Sequence, residues 1–380
     1  MRFLLLISLV FLFDGLLRMA LLILRAVKSG KLMALKETAN QGSVVLIAAR
    51  DEAGTIGATV ESLRRHLHEW PESSVYVVAD CCSDGTAEEA SAAGAQIAIR
   101  TDGRLGKGAV IAWWMHNFEA VWKSKDAILI LDADSRIAPG TLQGLRQALA
   151  NGVAVAQAFV SPQAATSSGR LAGWSEVLMQ RIDDEARRRC GWPVPLRGTG
   201  MLFRPQLLAE LAPRLHTYAE DLELDLILAS QGVLVGFVPE AVVFDPKPQQ
   251  SAGASRQRAR WLQGQLQVLR DYPREFGKAL LAGGLGAWFL LWLLMLRPKI
   301  LFIGIRFLIL LSGIFFAPLL WLGLAGLAMD AIYYLAGAAI VDNPRRYLLD
   351  LLAVPRYVAM WSYSFGMALI RRRVWMRAGR

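Results

Sequence analysis

The sequence predicts an α/β domain built on a mostly parallel, doubly wound sheet and flanked by apolar segments at both ends. Short apolar runs alternate with helical patterns through the middle of the chain. Hydrophobic residues make up 54% against 19% charged, and mean hydropathy is +0.35. This balance excludes intrinsic disorder, which needs low hydrophobicity and high charge, and it fits poorly with a wholly soluble enzyme. A chain of 380 residues suffices for one large or two ordinary domains. Its three cysteines, two of them adjacent (Cys81 and Cys82), form no disulfide framework, so the catalytic part is expected in the cytosol.

Residues 1–27 form the first segment. A helix over the 22 residues from Phe3 to Leu24 spans about 33 Å, enough for the hydrocarbon core of a bilayer. Asp14 and Arg18 interrupt the run at i, i+4, where they can neutralise each other or contact another helix. The length of the run and the lack of a small-x-small cleavage site argue against a cleaved signal peptide. Arg25, Lys28, Lys31 and Lys36 follow, so the positive-inside rule keeps the next domain in the cytosol.

Residues 40–256 carry the α/β pattern. Strands are expected at Val44 to Ala48, Val75 to Ala79, Ile97 to Ile99, Ala127 to Leu131, Val153 to Phe159 and Leu234 to Val238. Helical patterns cover Ile56 to Leu67, Thr86 to Ala93 and Ala109 to Trp122. Strands alternating with helices imply βαβ units, and in such sheets ligands bind beyond the carboxyl ends of the strands.

Apolar character returns after Gln257. Residues 257–299 are expected to form amphipathic helices at the lipid interface, including the short apolar stretch 280–296. Residues 300–341 would reach about 63 Å as one helix, roughly twice a bilayer core, so a two-span hairpin is expected around Gly313 and Pro318. Residues 342–380 complete the chain as an interfacial or transmembrane helix with a basic tail. That arrangement puts Arg297/Lys299, Arg345/Arg346 and Arg371 to Arg373 on the cytosolic side. The net charge of +10 gathers beside these apolar segments, which suits membrane phosphate and not nucleic acid.

Asp132-Ala-Asp134 follows the strand Ala127 to Leu131. Two carboxylates at i, i+2 on a strand end can reach one Mg²⁺ or Mn²⁺, which in turn can bridge a diphosphate. Such pairs also arise by chance in surface loops; the preceding buried strand favours the functional reading. Asp80 ends the strand Val75 to Ala79, where a carboxylate can accept hydrogen bonds from a base or a ribose, whereas Asp84 suits a helix cap. Cys81 and Cys82 read as small packing residues. Gly106-Lys107-Gly108 lets backbone approach a phosphate and supplies a point charge, without the frame of a Walker loop. Glu220-Asp221 opens a helical pattern; its carboxylates either serve the helix dipole or, beside a donor site, provide a general base. Gln257-Arg-Ala-Arg260-Trp261 offers a guanidinium for a diphosphate and a flat face for a sugar, or simply a basic membrane-surface helix. His66, His68, His116 and His216 make no zinc spacing.

Taken in order, Ala49-Arg-Asp-Glu52, Asp80, Gly106-Lys107-Gly108, Asp132/Asp134, Glu220-Asp221 and Gln257-x-x-Arg260-Trp261 resemble the inverting family 2 glycosyltransferases of GT-A fold. The likeness is greatest to the membrane-integrated branch related to cellulose, chitin and poly-N-acetylglucosamine synthases, and it covers roughly residues 40–265. Arg373-Val-Trp375-Met-Arg377 is similar to the basic, Trp-containing end of that branch. The resemblance implies that Glu52 and Asp80 bind the nucleoside of a nucleotide-diphosphate sugar and that Lys107 contacts its phosphates. Asp132 and Asp134 would hold the diphosphate with Mg²⁺ or Mn²⁺, Asp134 as the more direct ligand. Asp221 would deprotonate the acceptor hydroxyl with Glu220 beside the acceptor. Gln257 and Arg260 would steady the leaving group, and Trp261 would stack on the acceptor.

The sequence departs from the family pattern in places. The usual Pro and Asn of the first motif are Ala48 or Ala49 and Asp51, and the usual Thr before Glu-Asp is Ala219. Fewer spans are expected than processive synthases use to enclose a polymer channel. The expected protein is therefore an integral enzyme of a bacterial inner membrane, adding one sugar from a UDP-sugar to a lipid-linked acceptor, in cell-envelope, exopolysaccharide or glycolipid synthesis. A processive β-glycan synthase acting on a glycan acceptor is the alternative.

Overall fold

The computed structural model describes residues 2–26, 41–247, 251–282, 284–295 and 300–370. Lys28, Lys31, Lys36, Arg297, Lys299 and the tail with Arg373, Trp375 and Arg377 lie outside them, as do the side chains of residues 251–260.

Helix α1 (Arg2–Leu24) opens the chain. A first α/β run follows: β1 (Ser43–Ala49), α2 (Ile56–Arg64), β2 (Ser74–Asp80), α3 (Thr86–Ala92), β3 (Gln96–Arg100), α4 (Lys107–Asn117), α5 (Glu119–Trp122) and β4 (Ala127–Asp132). These four strands are parallel, with β1 between β2 and β4. Residues of β1 alternate between two cores. Val44 and Leu46 join Val110 and Trp114 of α4 on one face, whereas Val45 and Ile47 join Ile56, Val60 and Leu63 of α2 on the other. A strand buried on both faces needs an unbroken apolar run, as β1 has.

The second half runs β5 (Arg136–Ile137), α6 (Thr141–Ala150), β6 (Val155–Gln163), α7 (Ser167–Leu178), α8 (Glu185–Arg189), β7 (Met201–Phe203), α9 (Pro205–Leu211), α10 (Glu220–Ser230) and β8 (Val235–Pro246). A π-helical turn, Met179–Asp184, joins α7 to α8. The sheet order is β3-β2-β1-β4-β7-β6-β8-β5. It is a mixed sheet: β7 runs antiparallel to β4 and β6, and β5 antiparallel to β8. Strand β8 outlasts its expected end at Val238, because a bulge shifts its register. Ala158 pairs with Val238 and the next residue, Phe159, with Val242, after which pairing continues to Pro246.

The remaining helices are α11 (Ser251–Asp271), α12 (Pro273–Ala282), α13 (Gly284–Met295), α14 (Ile300–Ser312), α15 (Ala317–Gly337), α16 (Pro344–Leu351) and α17 (Val354–Ile370). Ala287, Leu290, Leu291 and Leu294 of α13 are buried in the same core as α4 and α10, so this stretch packs one face on the α/β domain. Helices α14 and α15 form a hairpin that reverses after Gly313. A Cβ on Gly323 of α15 would stand 2.6 Å from the Leu310 backbone of α14, so the two helices cross at glycine-only distance. Leu4–Leu24 and Ala317–Gly337 are long and apolar enough to cross a membrane.

Buried charges join α1 to this hairpin. Arg306 donates to both oxygens of Asp330 at 2.6 Å, to the Phe11 carbonyl at 2.6 Å and to Asp14 at 3.2 Å. Arg18 lies 3.4 Å from Asp14 and 3.6 Å from Asp330. Asp14 and Arg18 therefore both neutralise each other and reach other helices. Two cations meet two anions away from solvent, which is tolerable only while the set is complete. We expect Arg306→Met to destabilise the fold by about 3–5 kcal/mol, and the added change Asp330→Leu to restore part of the loss. Thermal unfolding in detergent checks both; a wild-type midpoint for Arg306→Met would refute the assignment.

Candidate active site

Parallel strands deliver the ends of β1, β2 and β4 to one edge of the sheet, where Ala48 is paired with Asp132 and Ala49 with Ala79. The loops leaving β1 and β2 interlock there. The Glu52 N–H donates to the Thr86 hydroxyl at 2.8 Å, the Ser83 N–H to Asp51 at 2.7 Å and the Ala53 N–H to Asp84 at 3.2 Å. Asp84 also accepts the N–H of Thr86, the first residue of α3, at 3.1 Å. The Thr86 hydroxyl bond holds the Asp84 carboxyl below its ordinary value. Burial pushes the Cys82 thiol up, opposite to what a nucleophile requires. Asp80, at the tip of β2, is buried and paired with the guanidinium of Arg100 at the end of β3. Arg100 is an addition that strand pairing reveals, since Asp80 and Arg100 are register partners.

Lys107 begins α4. Gly106 before it sits at φ +119°, a conformation open to glycine. A Cβ on Gly108 would come within 3.0 Å of Leu215 and 3.3 Å of Glu220, so the second glycine lets α4 close on the start of α10. The Lys107 ammonium donates to Asp132 at 2.5 Å and to the Gly198 carbonyl at 2.7 Å. Burial opposes its charge, but Asp132, Glu220 and Asp221 outweigh burial and hold its pKa above the ordinary lysine value. Thr199 supports the same corner: its hydroxyl accepts the Asp132 N–H at 3.2 Å and lies 2.9 Å from the Ser135 hydroxyl.

Glu220 and Asp221 open α10, where the helix dipole favours carboxylates. Burial pushes the Glu220 carboxyl up to about 7; Lys107 opposes this, and Asp221 and Asp132 add to it. Across the cleft, Asp245 near the end of β8 is raised to about 6, first by burial and also by Glu176 and Asp132, while Lys247 opposes the shift. Lys247 bridges Asp245 at 2.6 Å and Glu176 of α7 at 2.7 Å. Asp245 and Lys247 lie past the bulge, beyond the expected strand end at Val238, and Glu176 lies on α7, a helix outside the expected helical patterns.

The structure thus brings Lys107, Asp132, Glu220 and Asp221 into one electrostatically coupled cleft, with Glu52 and Asp80 at neighbouring strand ends. Asp134 is half-buried in the turn between β4 and β5. Asp132 and Asp134, two residues apart at the end of β4, offer the hard oxygen ligands that a divalent cation takes. Trp261 is exposed on α11. Gln257 and Arg260 share that helix, and their side chains fall outside the described residues.

Residues 41–264 match the family model described as glycosyltransferase-like family 2. Among solved structures, the chain is similar to the mannosyltransferase PcManGT from Pyrobaculum calidifontis, in complex with GDP-mannose and Mn²⁺. The identity is 16%, with 97% of this chain and 98% of that chain covered at a TM-score of 0.56. It is also similar to glucosyl-3-phosphoglycerate synthase from Mycobacterium tuberculosis, with Mn²⁺, UDP and phosphoglyceric acid. There the identity is 18%, with 60% of this chain and 78% of that chain covered at a TM-score of 0.42. At 16% identity, the likeness to the mannosyltransferase is one of fold. No curated protein sequence matches the chain significantly. With more than half its length matched by the family model, the chain belongs to glycosyltransferase-like family 2 and is a hexosyltransferase.

Proposed function

We propose that this chain is an integral membrane enzyme that moves one sugar, with inversion, from a UDP-sugar to a lipid-linked acceptor at the cytosolic face. It would belong to the branch related to cellulose, chitin and poly-N-acetylglucosamine synthases and serve envelope, exopolysaccharide or glycolipid synthesis. The observation that carries the reading is the coupling of Lys107 to Asp132, Glu220 and Asp221, which gathers a phosphate-binding cation, a metal-binding acid and a candidate base in one cleft. The lengths of α1 and α15 support membrane insertion, with residues 1–27 and 300–341 spanning, 40–256 catalytic, and 257–299 and 342–380 at the lipid surface.

In this reading Glu52 and Asp80 hold the nucleoside, and Lys107, Gln257 and Arg260 hold the diphosphate. Asp132 and Asp134 would hold Mg²⁺ or Mn²⁺, whose charge offsets that of the leaving diphosphate. Glu220 and Trp261 line the acceptor. Asp221 takes the acceptor proton as the acceptor oxygen bonds to the anomeric carbon and the bond to the diphosphate oxygen breaks. An α-linked donor then yields a β-glycoside.

A screen of nucleotide-sugars for transfer to membrane lipid extracts identifies the donor, and product length tests the mode. A single addition is expected; a ladder of sugars would favour the processive reading. Asp221→Asn should abolish transfer while donor binding persists, and full turnover by that variant would exclude Asp221 as base. Asp134→Ala should weaken metal-dependent donor binding, and unchanged activity in excess chelator would remove the metal role.

Glu220 gives a pH signature. Its folded value of about 7 lies above the ordinary 4.5, so its contribution to stability is present below about 4.5 and is lost as pH rises through about 7. Glu220→Gln cannot ionise. Its thermal midpoint should therefore gain on the wild type between pH 4.5 and 7 and keep that gain above; parallel curves would refute the shift.

A further inference from the structure

The mechanism leaves several buried acids unused, Glu223 among them. Glu223 of α10 is fully buried, two residues beyond Asp221. Residues two apart on a helix face away from each other. Glu223 turns its carboxylate to the loop that leads into α10. One oxygen accepts the His216 N–H at 2.9 Å; the other accepts the Thr217 N–H at 3.1 Å and the Thr217 hydroxyl at 3.0 Å. The Tyr272 hydroxyl, just past the end of α11, stands between this carboxylate and the Arg214 carbonyl, 2.6 Å away, and can donate its one proton to either. The Thr217 oxygen in turn accepts the Ala219 N–H at 3.3 Å, and Ala219 is the residue from which α10 departs.

Helix α11 presses on the same point. A Cβ on Gly264 would lie 2.8 Å from the Ala219 Cβ and 3.1 Å from its nitrogen. Glycine at 264 is therefore what lets α11 come this close to Ala219, where the family usually has threonine. Ala219 offers no side chain to cap α10; Glu223 orders the loop from the far side of the helix instead, through Thr217.

We propose that Glu223 is the positioning residue for Asp221, fixing the start of α10 through Thr217 and Ala219 and tying it through Tyr272 to α11, the helix that carries Trp261. This rests on Asp221 being the base. Glu223 does not touch substrate; it sets where the base stands relative to the acceptor helix. Its surroundings demand a carboxylate. The His216 and Thr217 backbone N–H groups and the Thr217 hydroxyl point protons at it, so an amide in its place would turn N–H towards donors.

The test uses the full chain in detergent and the nucleotide-sugar that supports wild-type turnover. Glu223→Gln should lower kcat by about tenfold to a hundredfold, the scale of a small misplacement of a reacting group, with donor KM within about twofold of wild type. Tyr272→Phe keeps the ring against His216 and removes one donor; it should lower kcat less, again at unchanged donor KM. Rates are taken per folded molecule, with thermal midpoints measured alongside. If Glu223→Gln fails to fold, Tyr272→Phe decides. Wild-type kcat per folded molecule, or a loss confined to donor KM, would overturn the proposal. The parent reading fails separately: turnover by Asp221→Asn removes the base, whereas an inactive Asp221→Asn beside a fully active Tyr272→Phe and Glu223→Gln removes only the positioning role.

Discussion

A single half-buried ammonium holds the cleft together. Without Lys107, the carboxylates of Asp132, Glu220 and Asp221 would repel one another. Lys107 stands on Asp132 and is anchored by the Gly198 carbonyl, so the cation is held even as its burial argues against charge. Three separate parts of the chain depend on this contact: the start of α4, the end of β4 and the segment 198–200 leading into β7. The glycines on either side of Lys107 serve the same end, because one turns the chain and the other lets α4 reach α10.

Strands β1, β2 and β4 were legible because each is a largely apolar run ending in a turn, a pattern that follows from burial on both faces; β3, at the sheet edge with Gln96 and Ile99 exposed, showed only Ile97 to Ile99. Strands β5 and β7 were not. Arg136–Ile137 and Met201–Phe203 are too short to show a period, and they exist because neighbouring strands offer them partners. The far half of β8 was hidden by Pro239 and Glu240, which read as a strand end but sit in a bulge. That single misreading also hid Asp245 and Lys247. Acids and the lysine at strand or helix ends were legible from position, since parallel strands must send their carboxyl ends to one edge. Arg100 was not, because only the register of β3 sets it opposite Asp80.

The terminal helices reach the α/β domain through polar groups. Arg170 of α7 holds Asp350 of α16 with two hydrogen bonds, at 2.8 and 2.7 Å, and Trp174 adds a third at 3.0 Å. Two residues beyond Trp174, Glu176 of the same helix faces Lys247 and, through it, Asp245. The π-helical turn that follows places Asp183 against the Tyr333 hydroxyl of α15 at 3.1 Å. A π turn inserts a residue and rotates what lies beyond it, which lets one continuous helical stretch serve three neighbours at once.

The two sides of the cleft are therefore supported from different places. Groups on the proposed donor side hang from parallel strand ends, which the sheet pairing holds in register. Those on the proposed acceptor side sit on α10 and α11, outside the sheet, and depend on side-chain bonds for their placement. Backbone pairing cannot fix a helix start beyond the sheet, so a fully satisfied buried acid is the sort of device such a position needs. Glu223 has that character: it meets its donors from the loop before α10 and the Tyr272 hydroxyl just past α11. The same geometry explains why residue 264 is glycine. A side chain there would push α11, and Trp261 with it, away from Ala219 at the start of α10, so the spacing of the two helices rests on that one small residue.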